Sequence, residues 1–461
     1  MSDEGKWMRA RLIPVAGIKG DREAEQRATS ALLAVLTIVR PLSHELLTPL
    51  GASSAAKATV EAFTEVTVEA NGSAVRPDGV VRVTYGQRTF TALVEVKTGD
   101  NQLDPDQVNG YWQAAREAGY DHVLTISNEI AASGAHPVSG LRVQKNSPVQ
   151  VSHLSWMRIL SSALRLKNHT GVDDPEQAWI LGELVRYLQH DASGVLPLAD
   201  MGPLWTPIRD AARAGTLNRR TEGLRDVARR IDEMHTFAAL KLASEIGDDV
   251  HVIHSKAVRD QAVRLDDFVR TAVEGGPIPG CLRIPNTAGD INTEIDLRAQ
   301  QFTASIELKA PEDKGARGRI GWLLGQLSEA PGPVIVEAYA KNARVPVLAT
   351  VEELRADRAT LLGPDKSPTH RFVMKRRVVM PQGRKATARK PGFIDGYLAM
   401  VSDFYETVVQ GLHAWQPSAP KRKVSADEPA SAEETEGWIW APTPQPPDDV
   451  QPAEESNRTP S

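Results

Sequence analysis

The sequence contains little cysteine and few aromatic residues. Cys281 is the only cysteine among 461 residues, which excludes a disulfide framework, a four-cysteine zinc site and a cysteine-ligated iron–sulfur cluster. A reducing, intracellular compartment fits this content. Aromatic residues make up 5% of the chain, whereas its 31 prolines and 34 glycines indicate many loops or an unstructured tail.

The sequence also lacks a long apolar run and a phosphate-binding glycine loop. Its most apolar stretch, residues 28–39, is shorter than the roughly 20 residues that span a bilayer. The first residues carry both charge signs, unlike a signal peptide. No Gly-x-x-x-x-Gly-Lys sequence is present, so ATP use has no support. We therefore expect a cytoplasmic protein without membrane contact.

The net charge of the chain is slightly negative, but positive charge is concentrated in one run of residues. The net charge is −5, of which residues 425–461 carry −8, so residues 1–424 carry +3. The run Lys366–Lys390 contains nine Lys and Arg residues and no acid. Such a run is typical of phosphate contacts with nucleic acid, and a solvated hairpin explains it equally well. We predict nucleic acid as a partner at this run.

The acidic end of the chain is rich in Pro, Ser, Glu and Asp. This composition cannot bury enough apolar surface to fold, so residues 416–461 are predicted to be disordered. The sequence Trp438-Ile439-Trp440 makes this tail a candidate docking segment for a protein partner. The alternatives are that the tail folds back on the basic run or that it only increases solubility.

The hydrophobic pattern divides the rest of the chain into three parts. Residues 1–170 mix helical and strand patterns, residues 171–276 are predicted to be helical, and residues 277–415 form a second, smaller α/β unit. The helical part begins at Asp174-Pro175-Glu176, which combines an N-cap, a proline at the first helical position and an acid in the first turn.

The first part is predicted to be an α/β sandwich. Its element order is α-β-β-β-α-β, and a crossover helix between strands implies a mixed sheet with helices packed on it. The pattern predicts helices over 21–39, 105–117 and 154–166, and strands over 59–69, 75–85, 89–97, 122–127 and 149–153.

Two neighbouring strands of this part carry acids and a lysine. Asp78 lies in Arg76-Pro77-Asp78-Gly79, and Glu95 and Lys97 end the next strand. Residues two apart on a strand point to the same face, so Glu95 and Lys97 project together. A hairpin turn at Gly86-Gln87 places Asp78 opposite Glu95. The sequence therefore predicts two neighbouring carboxylates beside a lysine.

Paired carboxylates suit a hard cation such as Mg²⁺ or Mn²⁺. Such an ion lowers the pKa of a bound water and stabilises the charge of a phosphodiester in its transition state. A nearby lysine orients or deprotonates the attacking water, or neutralises the developing charge. These groups suffice for phosphodiester hydrolysis.

This arrangement is similar to that of a known superfamily. Pro77-Asp78 followed by Glu95-Val96-Lys97, on a hairpin between an acidic helix and a crossover helix, resembles the PD-(D/E)xK nucleases over about residues 20–165. Gln107 and Tyr111 resemble the Gln-x-x-x-Tyr motif of its RecB-like branch. The resemblance implies a restriction-endonuclease-like core and metal-dependent cleavage of DNA or RNA, in bacterial defence or DNA repair.

The resemblance also implies the roles of individual residues. It assigns metal binding to Asp78, Glu95 and the carbonyl of Val96, with Mg²⁺ or Mn²⁺ as the cofactor. It assigns assistance of the attacking water to Lys97.

Three further residues complete the site that the resemblance implies. Gln107 and Tyr111 are expected to organise the site or contact the nucleic-acid backbone, and the alternative for Tyr111 is a core position. An acid of the first helix completes the site. We select Glu25, with Glu23 and Glu65 as alternatives.

A second Glu-x-Lys sequence occurs at Glu307-Leu308-Lys309, with Asp296 before it and Gln326 after it. No Pro-Asp precedes this sequence, and a charged turn follows it, so we expect a solvated surface there. The alternative for the whole chain is a catalytically inactive nuclease fold that binds nucleic acid or a protein partner.

Overall fold

Two large β-sheets, of five and seven strands, and a separate two-stranded hairpin organise the described part of the computed structural model of this chain. The structure describes residues 12–13, 20–70, 73–131, 136–144, 146–363 and 367–417. The predicted mixed α/β class is confirmed. Residues 418–461, which include almost all of the predicted disordered tail, lie outside the described residues, as does Lys366.

The first half of the described chain builds the first sheet. Its helices are α1 (Asp21–Ile38), α2 (Arg40–Leu47), α3 (Pro105–Ala118), α4 (Trp156–Arg165) and α5 (Pro175–Leu188), and its strands are β1 (Thr59–Thr64), β2 (Val68–Ala70), β3 (Ser73–Val75), β4 (Gly79–Tyr85), β5 (Arg88–Val96), β6 (His122–Ser127) and β7 (Gln150–Ser155). Helix α5 begins after the Asp174 side chain, which accepts from two backbone N–H groups as predicted for an N-cap.

The first sheet has the strand order β1-β4-β5-β6-β7. Strands β1, β4 and β5 are antiparallel neighbours, and β5, β6 and β7 are parallel. Residues alternate between the two faces: Val94 and Val96 pack in the core formed with α1, α2, α4 and α5, whereas Leu93 packs against Tyr111 of α3. Strand β5 is therefore central and covered on both faces.

Two of the predicted strands in this sheet have different bounds. The strand predicted over 59–69 ends at Thr64 because Glu65 adopts a left-handed backbone with φ 58°. Strands β2 and β3 pair separately as a short hairpin. The next strand begins at Gly79, so Asp78 precedes the strand on which it was predicted.

The second half of the described chain builds the second sheet. Its helices are α6 (Trp205–Ala214), α7 (Leu224–Ile246), α8 (Gln261–Glu274), α9 (Ala316–Gln326), α10 (Val351–Ala356) and α11 (Phe393–Phe404), and its strands are β8 (His251–Val252), β9 (Ile278–Arg283), β10 (Ile291–Asp296), β11 (Gln301–Lys309), β12 (Ile335–Ala340), β13 (Val347–Thr350) and β14 (Thr369–Val379). The strand order is β13-β12-β14-β11-β10-β9-β8.

The prediction that the second α/β unit is the smaller one is wrong, because the second sheet has seven strands against five in the first. The region 171–276 contains helices α5 to α8, as predicted, together with the two-residue strand β8, which pairs with β9. This region also divides between two cores: Leu184 of α5 packs against the first sheet, whereas Met234 of α7 packs with Phe302 of the second.

No single helix of the described ranges is long and apolar enough to cross a membrane. The pair Arg22–Ile38 and Arg40–Leu50 meets the length and composition test only when the two helices are taken together across a bend of 107°.

Candidate functional site

The β4–β5 hairpin brings Asp78 to Glu95. Tyr85 pairs with Arg88 across the turn, and Gly79 pairs with Val94. Continuing this register by one residue places Asp78 opposite Glu95, as the sequence predicts. Asp78 is fixed by its own carboxylate, because its Oδ2 accepts a hydrogen bond of 2.7 Å from the backbone N–H of Val96. This bond extends the strand pairing by one residue beyond the end of β4.

Glu95 is a buried carboxylate with one free oxygen. Its side chain is 1% exposed. Its Oε1 accepts from the Lys97 ammonium at 2.7 Å, while its Oε2 is buried and has no hydrogen-bond partner among the described residues. Burial and the charge of Asp78 raise the pKa of Glu95 to about 7, although Lys97 lowers it. An unpartnered buried carboxylate oxygen is costly, so this atom is suited to bind a ligand.

Lys97 lies between two acids. Its Nζ is 2.7 Å from Glu95 Oε1 and 3.7 Å from Oε2 of Glu25 on α1. Burial lowers the pKa of Lys97, but the hydrogen bond and charge of Glu95 and the charge of Glu25 outweigh it and raise the pKa above its ordinary value. The Asn101 amide donates to the other oxygen of Glu25 at 2.6 Å. Lys97 is therefore a fixed cation at the end of β5.

The other two candidate acids do not take the place of Glu25. Glu23 on the same helix forms an ion pair with Arg27. Glu65 instead lines a cavity of about 340 Å³ together with Arg76 and Asp78. Glu25 is thus the candidate acid that the structure places beside Lys97.

The backbone of Val96 faces Asp78. The N–H of Lys97 donates to Ile126 of β6, whereas the N–H of Val96 donates to Asp78 on the opposite side. In an extended strand the N–H and C=O of one residue point to the same edge, and those of the next residue point to the other edge. The Val96 carbonyl is therefore directed to the edge where Asp78 lies.

Tyr111 and Gln107 act on the segment that carries Asp78. The Tyr111 hydroxyl donates to the Arg76 carbonyl at 2.9 Å and accepts from the Gln107 amide at 2.9 Å. Burial and then the charge of Glu95 raise the pKa of Tyr111, so the hydroxyl stays protonated. Its ring is part of the core below α3, so the core position expected for Tyr111 is confirmed, and its hydroxyl also holds the backbone near Asp78.

Two side chains that the sequence analysis did not select hold the backbone after Lys97. Trp156 Nε1 donates to the Lys97 carbonyl at 2.9 Å. The Asn128 amide donates to the carbonyls of Gly99 and Gly194 and accepts from Leu196. Because Gly99 also donates to Gly194, the segment after β5 is bonded on every side. Asn128 directly follows the buried strand β6, and this position was the sequence signal that could have identified these hydrogen bonds.

Gly194 is required for the hydrogen bonds that hold the segment after Lys97. Its φ is +73°, and a Cβ at this position would lie 2.9 Å from the Thr98 Cβ. Only glycine combines this backbone conformation with such a close approach.

A row of buried polar side chains crosses the first sheet from Glu95. Glu95 pairs with Thr125, and Thr125 pairs with His153, so all three lie on one face. The Thr125 hydroxyl contacts Nδ1 of His153 at 3.0 Å and Nε2 of His136 at 2.9 Å. Burial lowers the pKa of His153 to about 3 and that of His136 to about 4, so both rings are neutral near pH 7.

The backbone fixes the protons of this row. Val138 donates to Nδ1 of His136, so the ring proton of His136 lies on Nε2 and points to Thr125. The Glu129 carbonyl lies 2.8 Å from Nε2 of His153 and can only accept. Nδ1 of His153 is therefore the acceptor for the Thr125 hydroxyl. The row is a fully paired network next to Glu95.

The second Glu-x-Lys sequence lies on an exposed part of β11. Glu307 pairs with Arg371 and Lys309 with Glu312, each at 2.7 Å. Asp296 pairs across the strands with Gln301, six residues from Glu307, which corresponds to about 20 Å along a strand. The expected solvated surface is confirmed, and this sequence does not assemble a second group of acids.

The predicted basic run is partly neutralised. Arg371, Lys375, Arg376 and Arg384 form ion pairs with Glu307, Glu337, Asp403 and Asp200. Strands β11 and β12 and helix α11 bring acids to the first half of the run. The run is therefore not a continuous phosphate-binding surface.

Asp78 and Glu95 are the main candidate side-chain ligands for a metal ion at this site. Within the described ranges, no group of three or more His, Cys, Asp or Glu side chains is arranged to hold one. The free Glu95 oxygen, Asp78 and the Val96 carbonyl nevertheless fit an oxygen-ligated cation.

Comparison with protein-family models finds no match for the chain, and comparison with curated proteins finds none either.

Proposed function

We propose that this chain is a metal-dependent phosphodiesterase that hydrolyses nucleic acid in the cytoplasm, at a site of Asp78, Glu95 and Lys97 on a restriction-endonuclease-like core. The observation that carries the proposal is the buried Glu95 oxygen without a hydrogen-bond partner. A binding group must compensate an oxygen buried in this way, and a cation does so most strongly beside a second carboxylate.

The residues present fit a Mg²⁺ or Mn²⁺ ion. Asp78, Glu95 and the Val96 carbonyl would hold it. Asp78 keeps Oδ1 for this purpose because its Oδ2 is bonded to the Val96 N–H. When bound, the ion would lower the pKa of a water molecule and stabilise negative charge on the phosphodiester.

The side chains of the site supply the remaining chemistry. Lys97 stays protonated because its pKa is raised, so its role is to orient the attacking water and to neutralise charge on the phosphate. Glu25 and Glu95 hold its ammonium in place. Tyr111 holds the backbone two residues before Asp78. These groups are positioned before substrate binds, which is the arrangement that stabilises a charged transition state.

The experiment is a cleavage assay on single- and double-stranded DNA and RNA with Mg²⁺, Mn²⁺ or EDTA. We expect cleavage that EDTA abolishes and that Asp78→Asn reduces strongly. Arg82→Ala, on β4 close to Asp78 but with its side chain against Phe63, is the matched control and retains activity. Activity that survives both EDTA and Asp78→Asn would contradict the proposal.

A catalytically inactive scaffold is the second candidate function. It is favoured by one observation, that the described residues lack a group of three side-chain metal ligands. Such a scaffold binds nucleic acid or protein equally well with and without divalent metal, so the same assay, combined with a binding measurement, separates the two.

A further inference from the structure

The last part of the basic run is a single exposed loop. In residues 381–392, which we call the basic loop, Lys385, Arg389 and Lys390 are exposed. None of these three side chains forms an ion pair with an acid of the described residues. The basic loop therefore carries three cations that are available to an anionic partner.

The basic loop has a fixed conformation. Thr387 and Lys390 bond to each other across its tip, and Phe393 donates to the Gly383 carbonyl at its base. A Cβ on Gly392 would lie 2.5 Å from the carbonyl carbon of Lys385, so the two ends of the loop are in close contact. The cations are presented by a preformed backbone, which lowers the entropy lost when they bind.

The basic loop is anchored to helix α6. The Gln382 carbonyl accepts from Trp205 Nε1 at 3.2 Å and from Arg209 Nη1 at 2.6 Å. Met201, just before this helix, donates to the Arg384 carbonyl at 3.0 Å. These bonds fix the loop to the segment that leads from α5 to α6.

The same segment is bonded to the candidate site at its other end. Gly194 accepts from the N–H of Gly99, two residues after Lys97, and Met201 donates to the basic loop. Seven residues separate the two points, and a fully extended chain of that length spans at most about 25 Å.

We propose that Lys385, Arg389 and Lys390 bind backbone phosphates of the same nucleic acid whose cleaved phosphodiester lies at Glu95 and Lys97. This proposal rests on the proposed function, because it takes the substrate to be a nucleic acid. The contact is made to phosphate and is independent of base sequence.

The test uses the full chain and a matched charge control. The variant Lys385→Ala/Arg389→Ala/Lys390→Ala removes the three cations, and Arg317→Ala/Lys341→Ala/Arg344→Ala removes three exposed cations elsewhere on the second half of the chain. Binding of fluorescent DNA and RNA duplexes is measured in EDTA as a function of salt. Cleavage is measured with Mg²⁺ or Mn²⁺ at saturating substrate on duplexes of about 20 base pairs.

The basic-loop variant is expected to bind the long duplex about tenfold more weakly at physiological salt, with a salt dependence smaller by about two to three contacts. The control variant keeps the wild-type affinity and salt dependence. At saturating substrate the wild type and the basic-loop variant cleave the long duplex equally, because the loop binds phosphate and does not contact the reacting groups. The arm with the larger loss of affinity, DNA or RNA, identifies the substrate class.

The outcomes separate the two proposals. If the wild type cleaves and the basic-loop variant matches the control in affinity and salt dependence, the loop proposal is overturned and the proposed function stands. If the wild type binds but never cleaves while the variant loses affinity, the phosphate contact stands and the catalytic function is overturned. If the wild type binds neither duplex, the loop proposal is overturned, and the proposed function is decided by the cleavage assay on single strands.

Discussion

The chain contains the tripeptide Glu-x-Lys at the end of a strand in each of its sheets, and the two differ mainly in burial. Glu95 is 1% and Lys97 18% exposed, whereas Glu307 is 57% and Lys309 59% exposed. The two residues of the first pair bind each other. Those of the second pair bind separate partners on the surface.

Burial changes what the same residues can do. Water solvates Glu307, so its interaction with Arg371 contributes little to stability. Glu95 is removed from water next to another carboxylate, which raises its pKa to about 7 and leaves one oxygen without a partner. The strands also place the upstream acids differently: Asp78 lies opposite Glu95, whereas Asp296 lies at the far end of its strand pair. Neighbouring elements, more than the tripeptide, therefore create the candidate site.

The largest expected difference between the two sequences is in the cleavage rate. Lys97→Ala is expected to lower the rate by about 10²–10³-fold, because it removes a fixed cation that opposes the charge of the transition state. Lys309→Ala leaves the rate unchanged, since its partner is a surface glutamate. Single-turnover cleavage with Mg²⁺ or Mn²⁺ measures the rates of both variants. Equal rates would contradict the assignment of the site to Glu95 and Lys97.

The second difference is in the pH dependence of stability. The pKa of Glu95 in the folded protein is raised, so the folded state binds the proton more tightly and wild-type stability falls as pH rises from about 4.5 to about 7. Glu95→Gln removes this loss, and its stability relative to wild type rises by about 3 kcal/mol over that range.

Urea unfolding of the metal-free protein at several pH values measures this change. Glu307→Gln, at the exposed glutamate of the second sheet, is the control for the substitution itself. A flat difference for Glu95→Gln would show that Glu95 is not destabilised by burial.

The third difference concerns the segment that follows each sequence. Asn128 holds the backbone after Lys97, and Arg319 holds the turn after Lys309 by donating to the carbonyls of Glu312 and Lys314. Each change to alanine is expected to cost about 1–2 kcal/mol, because partly buried backbone carbonyls lose their hydrogen bonds. Asn128→Ala also lowers the cleavage rate, whereas Arg319→Ala does not. Unfolding curves combined with cleavage rates test this, and an equal effect on the rate would remove the distinction.

The smallest expected difference is at the residue that pairs with each glutamate on the neighbouring strand. Thr125→Val removes the hydroxyl that joins two neutral histidines and is expected to cost about 1 kcal/mol, with only a small loss of rate. Val373 occupies the corresponding place beside Glu307, and Val373→Thr leaves the rate unchanged. Cleavage rates compared with thermal unfolding measure both. An equally small effect on the rate from the two variants would show that the Thr125 row does not support Glu95.

Local pattern was sufficient to predict the first half of the fold. Alternating apolar residues and the Gly86-Gln87 turn predicted the β4–β5 hairpin, and its register follows from the short turn, so the pairing of Asp78 with Glu95 was accessible from the sequence. Asp174 was likewise recognisable as an N-cap because capping is a local interaction. The break at Glu65 was not accessible, since nothing in its neighbourhood marks a residue with positive φ.

Long-range contacts were not accessible to the same reasoning. Asn128 meets Gly194 across 66 residues, and Trp156 meets Lys97 across 59, so neither contact leaves a periodic signal. The neutralisation of the basic run depends on the same kind of contact, for example Lys375 with Glu337. Composition alone therefore overestimated the basic surface.

The central claim is that the buried Glu-x-Lys sequence, and not the exposed one, forms the metal site. Binding of Mn²⁺ to the wild type, Glu95→Gln and Glu307→Gln, followed by electron paramagnetic resonance, tests it without relying on activity. The account predicts that the wild type and Glu307→Gln bind Mn²⁺ and that Glu95→Gln does not. Undiminished binding by Glu95→Gln, or no binding by the wild type, would contradict it.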